Sequence, residues 1–347
     1  MSALLSPIKV GLMNLNHRVV LSPLTRFRAH KNNVPSDLQV EYYKQRASEG
    51  GLLVTEATNI SSTSGCFPHT PGIFTEEQIE GWKKVTDAVH SKDGHIYLQL
   101  WHNGRVVVSA SAIGYTGKSP VGKPFEVPRA LEIPEIKQIT QDYTQAALNA
   151  IEAGFDGVEI HGANGYLVDQ FINSSSNQRT DEYGGSSEKR SRFALEVVES
   201  VSKAVGEERT AIRLSPGVGL YDMKDDTPVE TWSHLISQLK EKHPNLAYLS
   251  LLKDFLNVGD KNVDSLEPYR KIWNGPLFAS GGYSMGIEDS IQHSEKTGDL
   301  IAFGRAFLAN PDLPERIRNG YTLNNPDGAT FYTNGPEGYT DYPFYKK

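Results

Sequence analysis

Short apolar runs punctuate the chain at residues 19–21, 52–55, 96–100, 157–161, 211–214, 246–251, 277–279 and 300–303. Each is short, nearly continuous in apolar content and rich in Val, Ile and Leu, which is how a strand buried on both faces reads. A helical pattern follows each run. Ile136, Ile139, Tyr143, Ala147 and Ile151 recur at helical spacing and would set one apolar stripe against a sheet. Thr75-Glu76-Glu77-Gln78 has the form of a capping box. Thr227-Pro228 and Asn310-Pro311 each place a capping side chain before a proline at a first helical position, and Gly154 and Gly206 stand just past helical patterns.

Eight strands alternating with helices predict a parallel sheet, and eight is the number that closes a (β/α)8 TIM barrel. An open doubly wound sheet is the alternative. A single domain over residues 1–347 is expected, with long insertions at 101–134, between strand three and its helix, and at 162–186, between strand four and its helix. Both insertions fall on the face where such barrels build active sites.

Composition narrows the function. The net charge of -7 is modest, and the two signs are mixed along the chain, so nucleic acid and membrane surfaces are not expected partners. One cysteine, Cys66, allows no intramolecular disulfide, Cys-rich zinc site or iron–sulfur cluster, and is read as a structural thiol. The opening Met1-Ser2-Ala3-Leu4-Leu5-Ser6-Pro7 is too soon interrupted to read as a secretory signal, and no apolar run approaches the roughly 20 residues of a membrane span. A cytoplasmic location is the expectation. No His-Glu-x-x-His motif occurs, and no metal site is expected.

The chemistry-bearing residues gather at strand C-termini: Pro23-Leu24-Thr25-Arg26, Glu56-Ala57-Thr58, Gln99-Leu100-Trp101-His102, His161 with Asn164, Arg213, Gly281-Gly282 and Gly304-Arg305. A lone strand-end Thr or Gln is more often a capping or solvated residue, but a barrel would bring all seven groups to one mouth. Gly281, Gly282, Gly304 and Arg305, after strands seven and eight, suit a phosphate cradle in which glycine lets backbone amides approach an anion. No Gly-x-Gly-x-x-Gly spacing occurs, so a mononucleotide phosphate is expected rather than a dinucleotide fold.

These features resemble one family. Arg18-Val-Val-Leu-Ser-Pro-Leu-Thr-Arg26, Leu53-Val-Thr-Glu-Ala57, His69-Thr-Pro-Gly-Ile73, Gln99-Leu-Trp-His102, Gly154-Phe-Asp-Gly-Val-Glu-Ile-His-Gly-Ala-Asn-Gly-Tyr166, Asn177-Gln-Arg-Thr-Asp-Glu-Tyr-Gly-Gly185, Arg213-Leu-Ser-Pro216 and Ala302-Phe-Gly-Arg305 are similar to the old yellow enzyme family of FMN-dependent ene-reductases. They run in the family's order and cover nearly the whole chain. The resemblance implies a barrel with FMN in its mouth. Pro23, Leu24, Thr25, Ala57, Gln99 and Arg213 would contact the flavin, with Thr25 near its O4 and N5, and Arg213 near N1 and O2. Gly281, Gly282, Gly304 and Arg305 would hold the phosphate. His161 and Asn164 match the donors to a substrate carbonyl, Tyr166 matches the proton donor, and Trp101 and Tyr332 would shape the pocket.

The implied reaction is ping-pong reduction of an α,β-unsaturated ketone or aldehyde, with NADPH or NADH as hydride donor, by a monomer or homodimer. Two departures stand out. The stretch after strand six reads Ser250-Leu-Leu-Lys-Asp-Phe255 where relatives often carry an acidic-Pro-Arg stretch, and Phe67 stands where many carry tyrosine. Both bear on substrate scope.

Overall fold

The computed structural model describes residues 2–65, 67–116, 126–253, 265–283 and 287–346. Cys66, and Asp254 and Phe255 of the atypical stretch after strand six, lie outside the described residues.

Eight parallel strands form the barrel: β1 (Val19–Leu21), β2 (Leu52–Val54), β3 (His95–Trp101), β4 (Gly157–Gly162), β5 (Thr210–Leu214), β6 (Tyr248–Leu252), β7 (Leu277–Ser280) and β8 (Leu300–Phe303). Each pairs in parallel with its neighbours in sequence, and β8 pairs with β1, which closes the ring. The open doubly wound alternative is thereby excluded. Every residue of these strands except His95 is buried, and the continuous apolar runs are the trace of that double-sided burial.

The helices are α1 (Asp37–Arg46), α2 (Glu76–His90), α3 (Ile133–Glu152), α4 (Leu167–Ile172), α5 (Ser187–Val205), α6 (Pro228–Lys242), α7 (Glu267–Trp273), α8 (Ile287–Thr297), α9 (Arg305–Ala309) and α10 (Leu313–Asn319). The α2 capping box forms: Thr75 Oγ1 accepts from the Gln78 amide at 3.3 Å, and Gln78 Oε1 accepts from the Thr75 amide at 3.2 Å. The α3 stripe packs inward, with Ile136, Ile139, Tyr143 and Ala147 buried.

One helix start differs from the sequence reading. Asn310 closes α9 rather than opening α10, which begins at Leu313 behind Asp312. Its side chain is committed elsewhere: Nδ2 donates to the Ala306 carbonyl at 2.8 Å, and Oδ1 accepts from the Asn324 amide at 2.7 Å. Thr227 does precede α6, but its side chain makes no capping bond. Asp225 organises that corner instead, accepting from the Thr227 amide, Thr231 Oγ1 and Arg190 Nη2.

The periodicity did not reveal an N-terminal hairpin, Ile8–Val10 with Met13–Leu15, whose strands are too short to show an alternation. It plugs the barrel's N-terminal end. Val10, Met13 and Leu15 pack on Val20, Leu52, Val54, Tyr97, Tyr248 and Phe278 inside the ring. Its turn needs Gly11: φ is +53°, and a Cβ there would lie 2.1 Å from the Glu208 carbonyl oxygen.

The two long insertions carry small elements of their own. The first holds a two-residue parallel ladder, Val108–Ser109 with Arg129–Ala130, and the second holds α4. Among the described residues, no helix is long and apolar enough to cross a membrane, and no cluster of three or more potential metal ligands occurs.

Candidate active site

A cavity of about 280 Å³ opens at the C-terminal end of the barrel. Its walls are Pro23, Leu24, Thr25 and Arg26 after β1, Ala57 after β2, Gln99 of β3, His161 of β4, Asn164 and Tyr166 just beyond it, Arg213 of β5, Arg305 and Leu308 of α9, and Phe331 and Tyr332 near the C-terminus. Thus Pro23, Leu24, Thr25, Ala57, Gln99, His161, Asn164, Tyr166, Arg213, Arg305 and Tyr332 converge. Gly281, Gly282, Gly304 and Trp101 do not line the cavity. Gly281 and Gly282 follow β7 with φ of +88° and +80°, and Gly304 stands at the start of α9. Trp101 is buried behind Tyr166, edge-on to its ring at 5.1 Å and 6.2 Å from Phe67, so it packs rather than faces the opening.

The turn after β4 is locked from several sides. Asn164 and Gly165 both adopt left-handed backbone, φ +60° and +77°, which asparagine and glycine tolerate best. The Asn164 amide donates to Ser215 Oγ at 2.9 Å, and the Gly165 amide donates to Asp169 Oδ2 at 2.8 Å. The Gly165 carbonyl accepts from Gln170 Nε2 at 2.6 Å and from the Tyr115 hydroxyl at 3.4 Å. Asp169 also accepts from Ser215 Oγ and Asn173 Nδ2. Burial raises its carboxyl to about 7 against the pull of those donors and Arg105. Sequence reading missed Asp169, although it stands three residues past Tyr166, where an acid that serves a helix start belongs.

The electrostatics of the mouth are those of a dry site. Burial, aided by Arg213, lowers the His161 imidazole to about 3, so it is neutral at physiological pH. Its Nδ1 is buried without a partner among the described residues, and so is Asn164 Oδ1. Native proteins rarely leave such atoms unpaired, so a pair on one wall marks a place for a polar ligand. Burial, with Tyr221, Tyr115 and Tyr332 adding to it, pushes the Tyr166 phenol well above its ordinary value. The His161 and Tyr166 rings meet edge-on at 4.9 Å.

Deeper in the mouth, Gln99 Nε2 donates to Glu159 Oε1 at 2.7 Å. The Arg213 guanidinium makes one hydrogen bond among the described residues, from Nη1 to Ser250 Oγ at 3.4 Å. Its remaining donors stand ready for a ligand. At the rim, exposed Arg305 has no hydrogen bond or ion pair among the described residues, and its guanidinium lies 5.9 Å from the Phe331 ring.

A C-terminal strap completes the wall. Arg26 donates to the carbonyls of Phe331 at 3.0 Å and Gly338 at 2.7 Å. Arg28 donates to those of Thr330, Phe331, Gly335 and Glu337. Arg46 holds Leu308, Phe307 and Tyr339 in the same way. These arginines fix Phe331 and Tyr332 over the opening. Their partners lie 261 to 312 positions away, so no local pattern could expose the contact.

Comparison with known proteins decides what this mouth is. The model of the NADH:flavin oxidoreductase / NADH oxidase family matches residues 3–324. The chain is 47% identical to 12-oxophytodienoate reductase 1 of Oryza sativa subsp. japonica, over 98% of this chain and 93% of that protein. The chain belongs to the old yellow enzyme family. Morphinone reductase superposes with a TM-score of 0.91 at 42% identity, covering 99% of this chain and 96% of that one. The old yellow enzyme homologue of Zymomonas mobilis gives 0.90 at 40% identity, covering 98% and 99%.

Old yellow enzyme family members are FMN-dependent NAD(P)H oxidoreductases, and the residues present fit that cofactor. A flavin needs donors and acceptors for its pyrimidine edge and cations for its negative charges. The mouth supplies Gln99 and the donor-rich Arg213 deep inside, and at the rim Arg305, unpaired among the described residues.

Proposed function

We propose that this old yellow enzyme family member reduces the C=C bond of α,β-unsaturated ketones and aldehydes, with NADPH as the reductant and Tyr166 as proton donor. The observation that carries the proposal is the wall of His161, Asn164 and Tyr166, where two buried polar atoms lack partners among the described residues beside a half-buried phenol. Thr25, Ala57, Gln99 and Arg213, with Pro23 and Leu24, would hold the FMN ring, and Gly281, Gly282, Gly304 and Arg305 its phosphate. Bound FMN supplies the carrier for two-electron transfer from nicotinamide to substrate.

His161 and Asn164 donate to the substrate's carbonyl oxygen. A terminal amide can present its NH2 to an oxygen after a half-turn, so the unpaired Asn164 side chain can serve. Neutral His161 donates a hydrogen bond without surrendering a proton. Both bonds strengthen as the oxygen gains enolate character, which lowers the barrier rather than only improving binding. Tyr166 keeps its proton through physiological pH, because its dry surroundings disfavour the phenolate. It releases that proton to Cα as general acid. Phe331 and Tyr332 exclude water above the substrate.

The test is a two-stage anaerobic titration. The purified protein, loaded with FMN, should bleach with NADPH and regain its colour on adding 2-cyclohexenone, with the saturated ketone as product. A protein that bleaches but returns no colour with any of a panel of enones and enals would overturn the proposal.

A further inference from the structure

One buried acid beneath the mouth has no part in the chemistry above. Glu159 is fully buried in the middle of β4, with its side chain inside the ring. In register it pairs with Gln99 on one side and Ala211 on the other. Ala211 is small, and beyond it stands Tyr248, whose hydroxyl lies near the Glu159 carboxyl; neither that hydroxyl nor Glu159 Oε2 makes a well-formed hydrogen bond among the described residues. Oε1 accepts from Gln99 Nε2 at 2.7 Å. The Arg213 guanidinium, two residues beyond Ala211 on β5, is the nearby cation. Burial raises the Glu159 carboxyl, and Arg213, Gln99 and Tyr248 act against that rise.

Two consequences follow from elementary chemistry. In the ionised form, which the neighbouring Arg213 guanidinium and the Gln99 amide favour against burial, the carboxylate only accepts hydrogen bonds, so it fixes the Gln99 amide with its NH2 inward and its carbonyl toward the cavity. In a dry interior a carboxylate beside a guanidinium also cancels part of that cation's field. Glu159 touches neither the cavity nor a ligand in it, yet it governs both side chains that face the deep end of the mouth.

We propose that Glu159 is a positioning residue that sets the affinity and the reduction potential of the flavin, by orienting Gln99 and by offsetting the charge of Arg213. The inference rests on FMN lying with its pyrimidine edge toward those two residues. Negative charge arrives at that edge on reduction, so a carboxylate behind Arg213 holds the potential down.

The variant that tests this is Glu159→Gln, which keeps size and removes charge. Two readouts apply, neither of them turnover: the Kd for oxidised FMN, from fluorescence quenching, and the midpoint potential, from dye-linked titration. The expected result is about tenfold weaker binding of oxidised FMN, because an amide no longer dictates which end of Gln99 turns outward. Reduced FMN should gain about tenfold relative to oxidised, which is about 30 mV upward for a two-electron couple. If Glu159→Gln does not fold, Glu159→Asp retains the charge and withdraws the contact. It should weaken FMN severalfold and leave the potential within a few millivolts of the wild type's. Either variant, folded and FMN-loaded, with both readouts unchanged would overturn the role of Glu159. A wild-type protein that takes up no FMN at all would instead overturn the cofactor reading beneath it.

Discussion

At the N-terminal end of the barrel, Val10, Met13 and Leu15 close over Tyr97, Tyr248 and Phe278, and the ring is filled with apolar side chains. At the C-terminal end, the same strands present Gln99, Glu159, His161 and Arg213, all buried, around an opening with polar atoms unpaired among the described residues. Only a few residues separate the two layers: Tyr97 from Gln99, and Ala211 from Arg213. The difference shows where the chain accepts an energetic cost. Burying a polar group without a partner costs on the order of 1–3 kcal/mol by protein measurements, so a fold accepts it where a ligand later supplies the partner. The bottom is built for stability and the top for binding, and substitutions at the two ends should therefore fail differently.

The largest effect should come from the top. Tyr166→Phe should slow the enone half-reaction by roughly 10²–10⁴-fold, the usual worth of a positioned general acid, while the NADPH half-reaction keeps its rate. Stopped-flow absorbance of each half-reaction separates the two, and equal loss in both would reduce Tyr166 to a structural role. At the bottom, Leu15→Ala should cost about 2–5 kcal/mol of stability by opening a cavity, with enone turnover per folded molecule preserved. Denaturant unfolding beside an active-site-normalised assay checks both halves of that statement.

Asp169→Asn is a smaller perturbation that links the ends' two behaviours. Asparagine can accept from the Gly165 amide but then turns its NH2 toward Asn173, so roughly 1–3 kcal/mol should be lost. The sign of its pH dependence is fixed. The folded carboxyl titrates near 7 and the unfolded one near 3.9, so the wild type loses stability from this group as pH rises between them. The deficit of Asp169→Asn should thus be largest near pH 5 and shrink toward pH 8, as read by thermal melts. The smallest expectation is an absence of change. With His161 neutral down to about pH 3, phenol binding should be flat from pH 5 to 8. A titration near 6.5 that disappears in His161→Ala would contradict that.

The same contrast explains what could be read from the chain. The barrel strands were legible because burial on both faces writes itself as a continuous apolar run. Gln99, His161 and Arg213 were legible because each is a polar residue interrupting such a run near its C-terminal end. Glu159 broke the run of β4 in the same way and could have been flagged on that ground. The plugging hairpin was not legible, since three-residue strands leave no period to detect. Asn310 was misplaced because a capping residue before proline looks alike at the end of one helix and the start of another. Trp101 follows the strand-end rule yet turns behind Tyr166, because position along a strand does not settle which way a bulky ring packs. The strap of Arg26, Arg28, Phe331 and Tyr332 joins the two ends of the chain, and only the fold brings them together.

The central claim is that the mouth is built around an oxygen held by His161 and Asn164. The most direct measurement is the Kd of a simple phenol for the FMN-loaded protein, titrated through the flavin absorbance, in wild type and in His161→Ala/Asn164→Ala. The account predicts that the double variant keeps its FMN and binds the phenol at least 100-fold more weakly, about 2.7 kcal/mol for two lost donors. An unchanged phenol Kd with flavin retained would contradict it.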